Sequence, residues 1–195
     1  VIAAMGGHLE GVRVCEQGCG CLYNLSRHPT CSQEIGEVGG VAVIVAAMKQ
    51  HPLEPVVQER GCWALGGLTG HVDNQEIIAA AEGIGAIVFA MATHPTAAGV
   101  QGQGCAALCS IGFHAANCAR IGVEGGIQAV VAAVLGHRRD GLVQAAGLAA
   151  LATLTLHNEA NVGLAARGGA VAAVVQAMRE HVDVDEVQRH GFIAL

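Results

Sequence analysis

Apolar residues recur at helical spacing in one segment of the chain after another. Val41, Ile44 and Met48 stand at i, i+3 and i+7, which places them on one face of an α-helix. The His51-Pro52 pair marks the end of this helix, because proline keeps the residue before it out of the helical conformation. The pattern therefore predicts a helix that begins at Val41 and ends at His51.

Two further helices follow this one. Residues 55–68 carry Val57, Gly61 and Leu65 at intervals of four, which predicts a longer helix with its own buried seam. Residues 73–81 form a short third segment, and Asp73 is expected to cap it. One unit of the chain is thus predicted to hold three helices, one of them short.

The unit is repeated along the whole sequence. Its period is visible in two series of histidines, in which successive members are 43 or 44 residues apart. These are His8, His51, His94, His137, His181, and His28, His71, His114, His157. A period of this length is typical of helical repeat arrays, in which each repeat buries its apolar face against its neighbours. We place the single extra residue between Leu156 and Asn161, in a turn, where insertion costs little.

The repeats define the predicted fold and core. We expect one all-α solenoid over residues 1–195, with more than two thirds of the residues in helices and no sheet. Its units are a partial repeat 1–26, repeats at about 30–70, 73–113 and 115–156, and a partial repeat 158–195, as in a fragment of a longer array. The predicted core contains Val57, Cys62, Leu65, Leu68, Leu108, Ile111, Leu151 and Leu154.

The segments Val56–Leu68 (VVQERGCWALGGL) and Asp73–Met91 (DNQEIIAAAEGIGAIVFAM) resemble the armadillo repeat. Members of that family have a Trp-Ala-Leu-x-Asn-Leu third helix and a glycine turn before the second helix. The resemblance covers the whole chain. It implies a right-handed superhelical armadillo-type solenoid of three-helix repeats, whose third helices line a concave groove.

Armadillo proteins such as the importin alpha subunits hold an extended peptide in this groove, with a tryptophan and an asparagine one helical turn later. The aligned pairs here are Gly20 and Asn24, Trp63 and Gly67, Ala106 and Ser110, and Ala149 and Thr153. No repeat carries both residue types, so we do not expect nuclear-import signals to be the ligand. The resemblance places the binding surface on Glu16, Asn24, Arg27, Glu59, Trp63, Ser110, Phe113 and Thr153. Trp63 is the expected anchor, with Asn24 and Glu59 as hydrogen-bonding groups, since tryptophan is frequent among binding hot spots. The small residues Gly67 and Gly70 are expected to leave its ring open to a ligand. The alternative is that Trp63 only packs between helices.

The composition of the chain limits the classes of partner that we expect it to bind. Ten Lys and Arg against sixteen Asp and Glu give a net charge of −6, so no basic stripe is available for phosphate backbones and we expect no nucleic-acid partner. No apolar run reaches the length of a membrane span and no signal peptide is evident. Eight cysteines without a secretory signal favour a reducing compartment, and we expect a cytoplasmic or nuclear location.

Histidine and cysteine are the residues with possible site chemistry. Equivalent helices in a stack lie ~8–10 Å apart, too far for two histidines of one series to share a zinc ion. We therefore interpret the histidines as residues near helix C-termini that bond the last carbonyls. Cys19, Cys62 and Cys105 align with Leu148 and Phe192, so we interpret them as hydrophobic core residues.

No motif predicts an enzyme or a cofactor site. The segment Gly102–Ala107 matches a loose nucleotide-binding glycine pattern, but Gly104 is a glycine that recurs inside the long helix, where it permits close helix packing. The leading interpretation is a protein-binding scaffold that holds a partner segment along the groove. The alternative is a structural or regulatory arm of a larger assembly or protein, for example one attached to a kinase. End-to-end self-association is possible in either case.

Overall fold

The structure is a computed structural model that describes residues 1–195 as fourteen α-helices without β-strands. Helices take up 79% of the chain, which confirms the all-α prediction and its helix content. The helices recur in the order short, middle, long. The short helices are α3 (Pro29–Glu37), α6 (Val72–Ala80), α9 (Ala115–Val123) and α12 (Glu159–Arg167). The middle helices are α1 (Ile2–Gly7), α4 (Gly40–Gln50), α7 (Gly83–Thr93), α10 (Gly126–Gly136) and α13 (Ala170–Glu180). The long helices are α2 (Val12–Ser26), α5 (Pro55–Leu68), α8 (Ala98–Gly112), α11 (Gly141–Thr155) and α14 (Asp185–Ala194).

Helices of the same kind pack side by side in chain order, so the fold is an α-solenoid. No single helix is long and apolar enough to cross a membrane, although three pairs of helices joined at a sharp bend reach that length and composition together.

The predicted helix boundaries agree closely with the structure, with one exception at a cap. Helix α4 ends at Gln50 and α5 covers the expected residues 55–68. The prediction that Asp73 caps the short helix is wrong. Helix α6 begins at Val72, and His71 is the extended residue before it. Asp73 lies inside the first turn, where its negative charge complements the positive end of the helix.

A left-handed residue joins each short helix to the next middle helix. Gly39, Gly125 and Gly169 have φ between 83° and 88° at this turn, a conformation that costs glycine no steric strain. Glu82 takes the same place in one repeat with φ 63°. The turn bends the chain sharply within two residues; the angle between α3 and α4, for instance, is 70°.

The one-residue insertion lies in a turn, as predicted. Helix α11 ends at Thr155 and α12 begins at Glu159, so three residues connect them where two connect α8 to α9. His157 absorbs the extra residue with a left-handed φ of 57°. The helices on either side keep their lengths.

One continuous hydrophobic core runs through the array. All eight predicted core residues are buried. The long and middle helices of a repeat touch at the recurring glycine, as predicted for Gly104. A side chain there would collide with Met91, and the same holds for Gly61 against Met48. Glycine at this position thus lets the two helices approach closely.

A series of glutamines, three of them buried and the last half-buried, ties the middle helix of each repeat to the long helix. We define the glutamine ladder as Gln58, Gln101, Gln144 and Gln188. Gln101 Nε2 donates to the main-chain oxygens of Met91 at 2.8 Å and His94 at 2.9 Å. The other three make the equivalent pair of bonds. Gln101 therefore supplies the donor for the Met91 carbonyl, which has no backbone donor, and a second donor for the His94 carbonyl, which also accepts from Ala97 N.

Buried asparagines connect the short helices of successive repeats. Asn74 Nδ2 donates to Ser32 O at 2.8 Å, and Asn117 Nδ2 donates to Gln75 O at 2.9 Å. Asn161 repeats the contact with Cys118 O at 3.0 Å. Each bond joins one repeat to the one before it, so the register between repeats is fixed by polar contacts as well as by the core.

Candidate functional site

Trp63 is the most distinctive side chain on the exposed face of the long helices. Trp63 lies on an open side of α5 and is 39% exposed to solvent. The indole stacks on the ring of Tyr23 from the preceding long helix, with ring centroids 3.8 Å apart and planes at 22°. Stacking of this kind holds both rings in a fixed orientation.

A cavity of about 230 Å³ lies beside this aromatic pair. Its walls come from α2, α5 and α8 and are built mostly from small side chains. They are formed by Tyr23, Cys62, Trp63, Gly66, Gly67, Gln103, Ala106, Ala107 and Ser110. Gln103 and Ser110 add polar side chains to this wall, beside the two aromatic residues.

Tyr23 was missed from the sequence, and it changes the expected geometry. Gly67 was expected to leave the Trp63 ring open. Instead, the space above Gly67 is filled by the Tyr23 ring and the Ser26 hydroxyl. A signal for this was present, because Gly20 takes the place of Trp63 in the first repeat and the aromatic residue follows three residues later.

The other predicted binding residues are spread along the same face and do not form one cluster. Glu16 is half-buried and pairs with Arg60, its Oε1 lying 3.2 Å from Arg60 Nη2. Glu59 is half-buried, with its carboxylate packed against Gly99 at the start of α8.

Asn24, Arg27 and Phe113 are exposed, and Phe113 keeps 74% of its surface accessible. Thr153 is half-buried, and its hydroxyl lies 3.3 Å from the Cys109 thiol. Among the predicted residues, only Trp63 and Ser110 line the cavity.

A larger cavity of about 570 Å³ lies on the side of the middle helices, with the exposed ring of Phe89 on its wall. Its charged groups are paired with one another, Lys49 with Glu82 and Arg120 with Glu124. The hydrogen bond from Lys49 lowers the pKa of the Glu82 carboxyl. Because these charges already neutralise each other, this cavity selects no ligand charge.

The first histidine series lies at helix C-termini, as predicted, but it bonds a different carbonyl. His94 Nε2 lies 2.8 Å from the main-chain oxygen of Pro52, the residue after His51. The same contact links His51 to Leu9, His137 to Pro95 and His181 to Arg138. Since a carbonyl only accepts, Nε2 carries the proton and donates. The histidines therefore join neighbouring repeats and do not cap their own helix.

The second series lies just after the C-termini of the long helices, but the predicted bonds to their last carbonyls are not made, and Nδ1 of His71 and of His114 is buried without a partner. His28, His71 and His114 are the residues immediately before the short helices α3, α6 and α9. Their backbone is extended, because the preceding long helix has ended two or three residues earlier and the chain must turn. No group of three or more His, Cys, Asp and Glu side chains is placed to hold a metal ion.

Zinc is expected neither to bind tightly nor to raise the melting temperature of the chain. In the first series a zinc ion at Nε2 would have to displace the bond to the neighbouring repeat, and no group of three or more ligand side chains is placed to hold it. Thermal unfolding followed by circular dichroism, with zinc and with a chelator as control, gives the comparison. A stoichiometric site in titration calorimetry would contradict this expectation.

The cysteines at equivalent positions of the long helices are buried as predicted, and all eight thiols of the chain are free. Cys19, Cys62 and Cys105 have no exposed surface. Burial raises the pKa of Cys19 and Cys105 to about 12 and raises that of Cys62 as well. A thiol needs its thiolate form to react, so these three act as hydrophobic side chains.

Comparison with known proteins gives one informative similarity. No protein-family model matches the chain, and no curated protein matches it. Its fold is similar to the crystal structure of an engineered protein from the Northeast Structural Genomics Consortium, with a TM-score of 0.84 and 21% sequence identity. That match covers 99% of this chain and 75% of the other. At this identity the similarity establishes a shared fold.

Proposed function

We propose that the chain is an armadillo-type, right-handed superhelical solenoid that acts as a protein-binding scaffold. The order short, middle, long in its helices and the period of 43 residues support this assignment. In such an array the exposed residues differ from repeat to repeat, while the buried core residues recur. Binding specificity then resides on one continuous face.

The observation that carries the proposal is the exposed indole of Trp63 beside a cavity of small residues. A large aromatic side chain that is rigidly held and partly open to solvent is typical of a binding hot spot. Tyr23 fixes the indole on one side. The small side chains of Ala106 and Ala107 leave room beside it for one apolar side chain of a partner.

The partner in this proposal is an extended or helical protein segment that lies across the long helices. Near Trp63, Asn24 and Glu59 supply hydrogen bonds to it, while Arg60 is already occupied by Glu16. The full surface comprises Glu16, Asn24, Arg27, Glu59, Trp63, Ser110, Phe113 and Thr153. The first two repeats contribute its charged groups and the later two contribute small and apolar ones.

Trp63→Ala is expected to weaken binding by at least about 2 kcal/mol, or roughly 30-fold. The ligand is selected from a displayed peptide library on the unmodified chain. Its affinity is then measured by calorimetry for the parent, Trp63→Ala and Phe89→Ala. Phe89 is the matched control, because it is an exposed aromatic residue on the side of the middle helices. Circular dichroism verifies that each variant is folded.

Two results would reject the groove assignment. One is equal affinity of the parent and Trp63→Ala for the selected peptide. The other is a loss with Phe89→Ala as large as the loss with Trp63→Ala. Since Trp63 is the one tryptophan of the chain, a change in its fluorescence on peptide addition gives an independent readout of contact at this site.

The second candidate function is a structural or regulatory arm of a larger assembly, including a protein that carries a kinase domain. Under either proposal the chain needs no catalytic residue or cofactor, its partners are proteins and not nucleic acids or membranes, and its location is cytoplasmic or nuclear.

A further inference from the structure

The cavity on the side of the middle helices lies between inner repeats of the array. Helices α4, α7 and α9 supply most of its walls, and each belongs to a repeat that has a neighbour before and after it. Its volume of about 570 Å³ is more than twice that of the cavity beside Trp63. We call it the middle-helix cavity and describe it by six of its lining residues, which are Lys49, Glu82, Gly85, Phe89, Arg120 and Glu124.

These six residues distinguish the middle-helix cavity from the neighbouring grooves. The equivalent residues of the preceding groove are Gly6, Gly39, Ala42, Ala46, Ile77 and Ala81. Those of the following groove are Ala92, Gly125, Gln128, Ala132, Leu164 and Gly168. Neither set contains a charged or aromatic residue, so the packing of the repeats requires none at these positions. The ring and the four charges therefore belong to the cavity and not to the repeat.

Two of the six residues have a backbone cost. Glu82 is left-handed with φ 63°, whereas glycine occupies this turn in the other repeats, and a side chain in this conformation is strained. Gly85 lies inside α7, where glycine is less favourable than alanine. A side chain at Gly85 would meet Glu124 Oε2 at 3.4 Å, so glycine keeps the space between α7 and α9 open. Strained residues are concentrated at ligand-binding and active sites.

A flat ring and a fixed guanidinium lie on the wall of the cavity. Phe89 follows Gly85 by one helical turn, so the two lie on the same face of α7, and Phe89 is 58% exposed. Arg120 Nη1 donates to the main-chain oxygen of Ala79 at 2.6 Å, and its Nε donates to Glu124 Oε1 at 2.5 Å. These two bonds hold the guanidinium in place and leave the N–H groups of Nη2 to bond a ligand oxygen.

The charges of the cavity cancel in pairs. Lys49 Nζ lies 2.5 Å from Glu82 Oε2, and Arg120 pairs with Glu124. A ligand with a net charge would lose contacts with water and would find each opposite charge already paired. The ligand is therefore expected to be uncharged. The volume of the cavity lies within the range of roughly 300–1,000 Å³ that is usual for small-molecule sites.

We propose that the middle-helix cavity binds a small uncharged aromatic molecule that carries an oxygen able to accept a hydrogen bond, such as a phenol. The ring of the ligand stacks on Phe89 beside Gly85, and its oxygen accepts from Arg120 Nη2. The volume favours a free molecule with more than one ring, because the smaller cavity beside Trp63 already has room for one side chain. The six residues lie on other helices than Trp63, so the proposal does not depend on peptide binding.

The probe for this site is 2-naphthol, which has two fused rings, one hydroxyl and no charge at neutral pH. Saturation-transfer NMR, which follows the protons of the free ligand, measures its binding to the unmodified chain. We expect saturable binding with a dissociation constant of about a millimolar or tighter. Naphthalene-2-sulfonate has the same rings with one negative charge, and it is expected to bind at least about fivefold more weakly.

Gly85→Gln tests the location of the site. The equivalent residue of α10 is Gln128, which is exposed, so α7 is expected to accept a glutamine that fills part of the cavity. This variant is expected to bind 2-naphthol at least about tenfold more weakly than the parent. Gly85→Ala is the matched control, because its methyl group only reaches ordinary contact with Glu124 and leaves the cavity open. Its affinity is expected to stay within about twofold of the parent.

Both replacements remove a glycine from the inside of a helix, so they favour folding, and circular dichroism verifies it. Phe89→Ala is expected to weaken 2-naphthol binding at least about fivefold, because the stacking surface is lost. Trp63→Ala is expected to bind 2-naphthol like the parent.

Several results would overturn the proposal. The parent chain could show no saturable binding, Gly85→Gln could bind as tightly as the parent, or the sulfonate could bind as tightly as 2-naphthol. A loss with Trp63→Ala as large as the loss with Gly85→Gln would place the ligand beside Trp63. Tighter binding of N-acetyltyrosinamide than of 2-naphthol would assign the middle-helix cavity to a tyrosine side chain of a protein partner.

Discussion

Leu108→Ala is expected to destabilise the chain by about 2–5 kcal/mol, since it removes a large side chain from a close-packed interior and leaves a cavity. Leu108 lies in α8 and is fully buried. Helix α8 packs against α5 on one side and α11 on the other. In a repeat array each repeat is stabilised by its neighbours, so a cavity in this helix weakens two contacts between repeats.

Urea unfolding followed by circular dichroism measures the effect. Leu142→Ala is the matched control, because Leu142 is also in a long helix but is largely exposed. Its substitution is expected to change the free energy of unfolding by less than about half a kcal/mol. A loss for Leu108→Ala that is no larger than the loss for Leu142→Ala would show that the assigned helix register is wrong.

The buried core was predictable from the sequence because two periods agree on it. Leu65 and Leu108 fall on the apolar stripe of a helix, and they also occupy the same position in successive repeats. A residue that fits both the 3.6-residue period of the helix and the 43-residue period of the repeat is therefore expected in the core. The predicted helix ends at His51 and Leu68 agree with the structure for the same reason, since turn residues recur with the repeat.

The polar contacts between helices were not predictable in the same way. Gln101 is nearly fully buried, yet a glutamine in a helical sequence is ordinarily exposed. Its spacing of 43 residues from Gln58 and Gln144 was visible. What the spacing does not reveal is that the middle helix ends beside this position, where the Met91 carbonyl has no backbone donor. That fact depends on tertiary packing.

The geometry of the candidate site was also only partly predictable from the sequence. Sequence placed Trp63 and Ser110 on one face, and the structure puts both on the wall of one cavity. The stacking of Tyr23 on Trp63 depends on the relative rotation of two long helices. A repeat period fixes which positions are equivalent, but it does not fix that rotation.

Replacing Gln101 tests whether the glutamine ladder stabilises the fold. Gln101→Met keeps the volume of the side chain and removes both donors, so the Met91 carbonyl loses its donor and the His94 carbonyl keeps only the bond from Ala97 N. Leaving the buried Met91 carbonyl without a donor costs about 1–3 kcal/mol. Gln101→Glu is expected to cost more at neutral pH, because a carboxylate then faces two carbonyl oxygens in a buried site.

The glutamate variant also has a defined pH dependence. Burial and the two oxygens disfavour the charged form, so the pKa of the introduced carboxyl is raised in the folded state above its unfolded value of about 4.3. Below that unfolded value the carboxyl is neutral in both states and its proton can donate to one carbonyl. As pH rises through the folded-state pKa, this stability is lost, by about 1.4 kcal/mol for each unit of pKa shift.

The free energy of unfolding of Gln101→Glu, relative to the parent, is therefore expected to be least unfavourable near pH 4 and most unfavourable near pH 8. Urea unfolding of the parent, Gln101→Glu and Gln101→Met at both pH values gives the comparison. Gln128→Glu is the control, because Gln128 is exposed in the neighbouring middle helix α10 and a charge there meets solvent. If Gln101→Met is as stable as the parent at both pH values, the fold does not depend on the bonds from the amide. The glutamine ladder would then accompany the packing of the repeats without contributing to the free energy of unfolding.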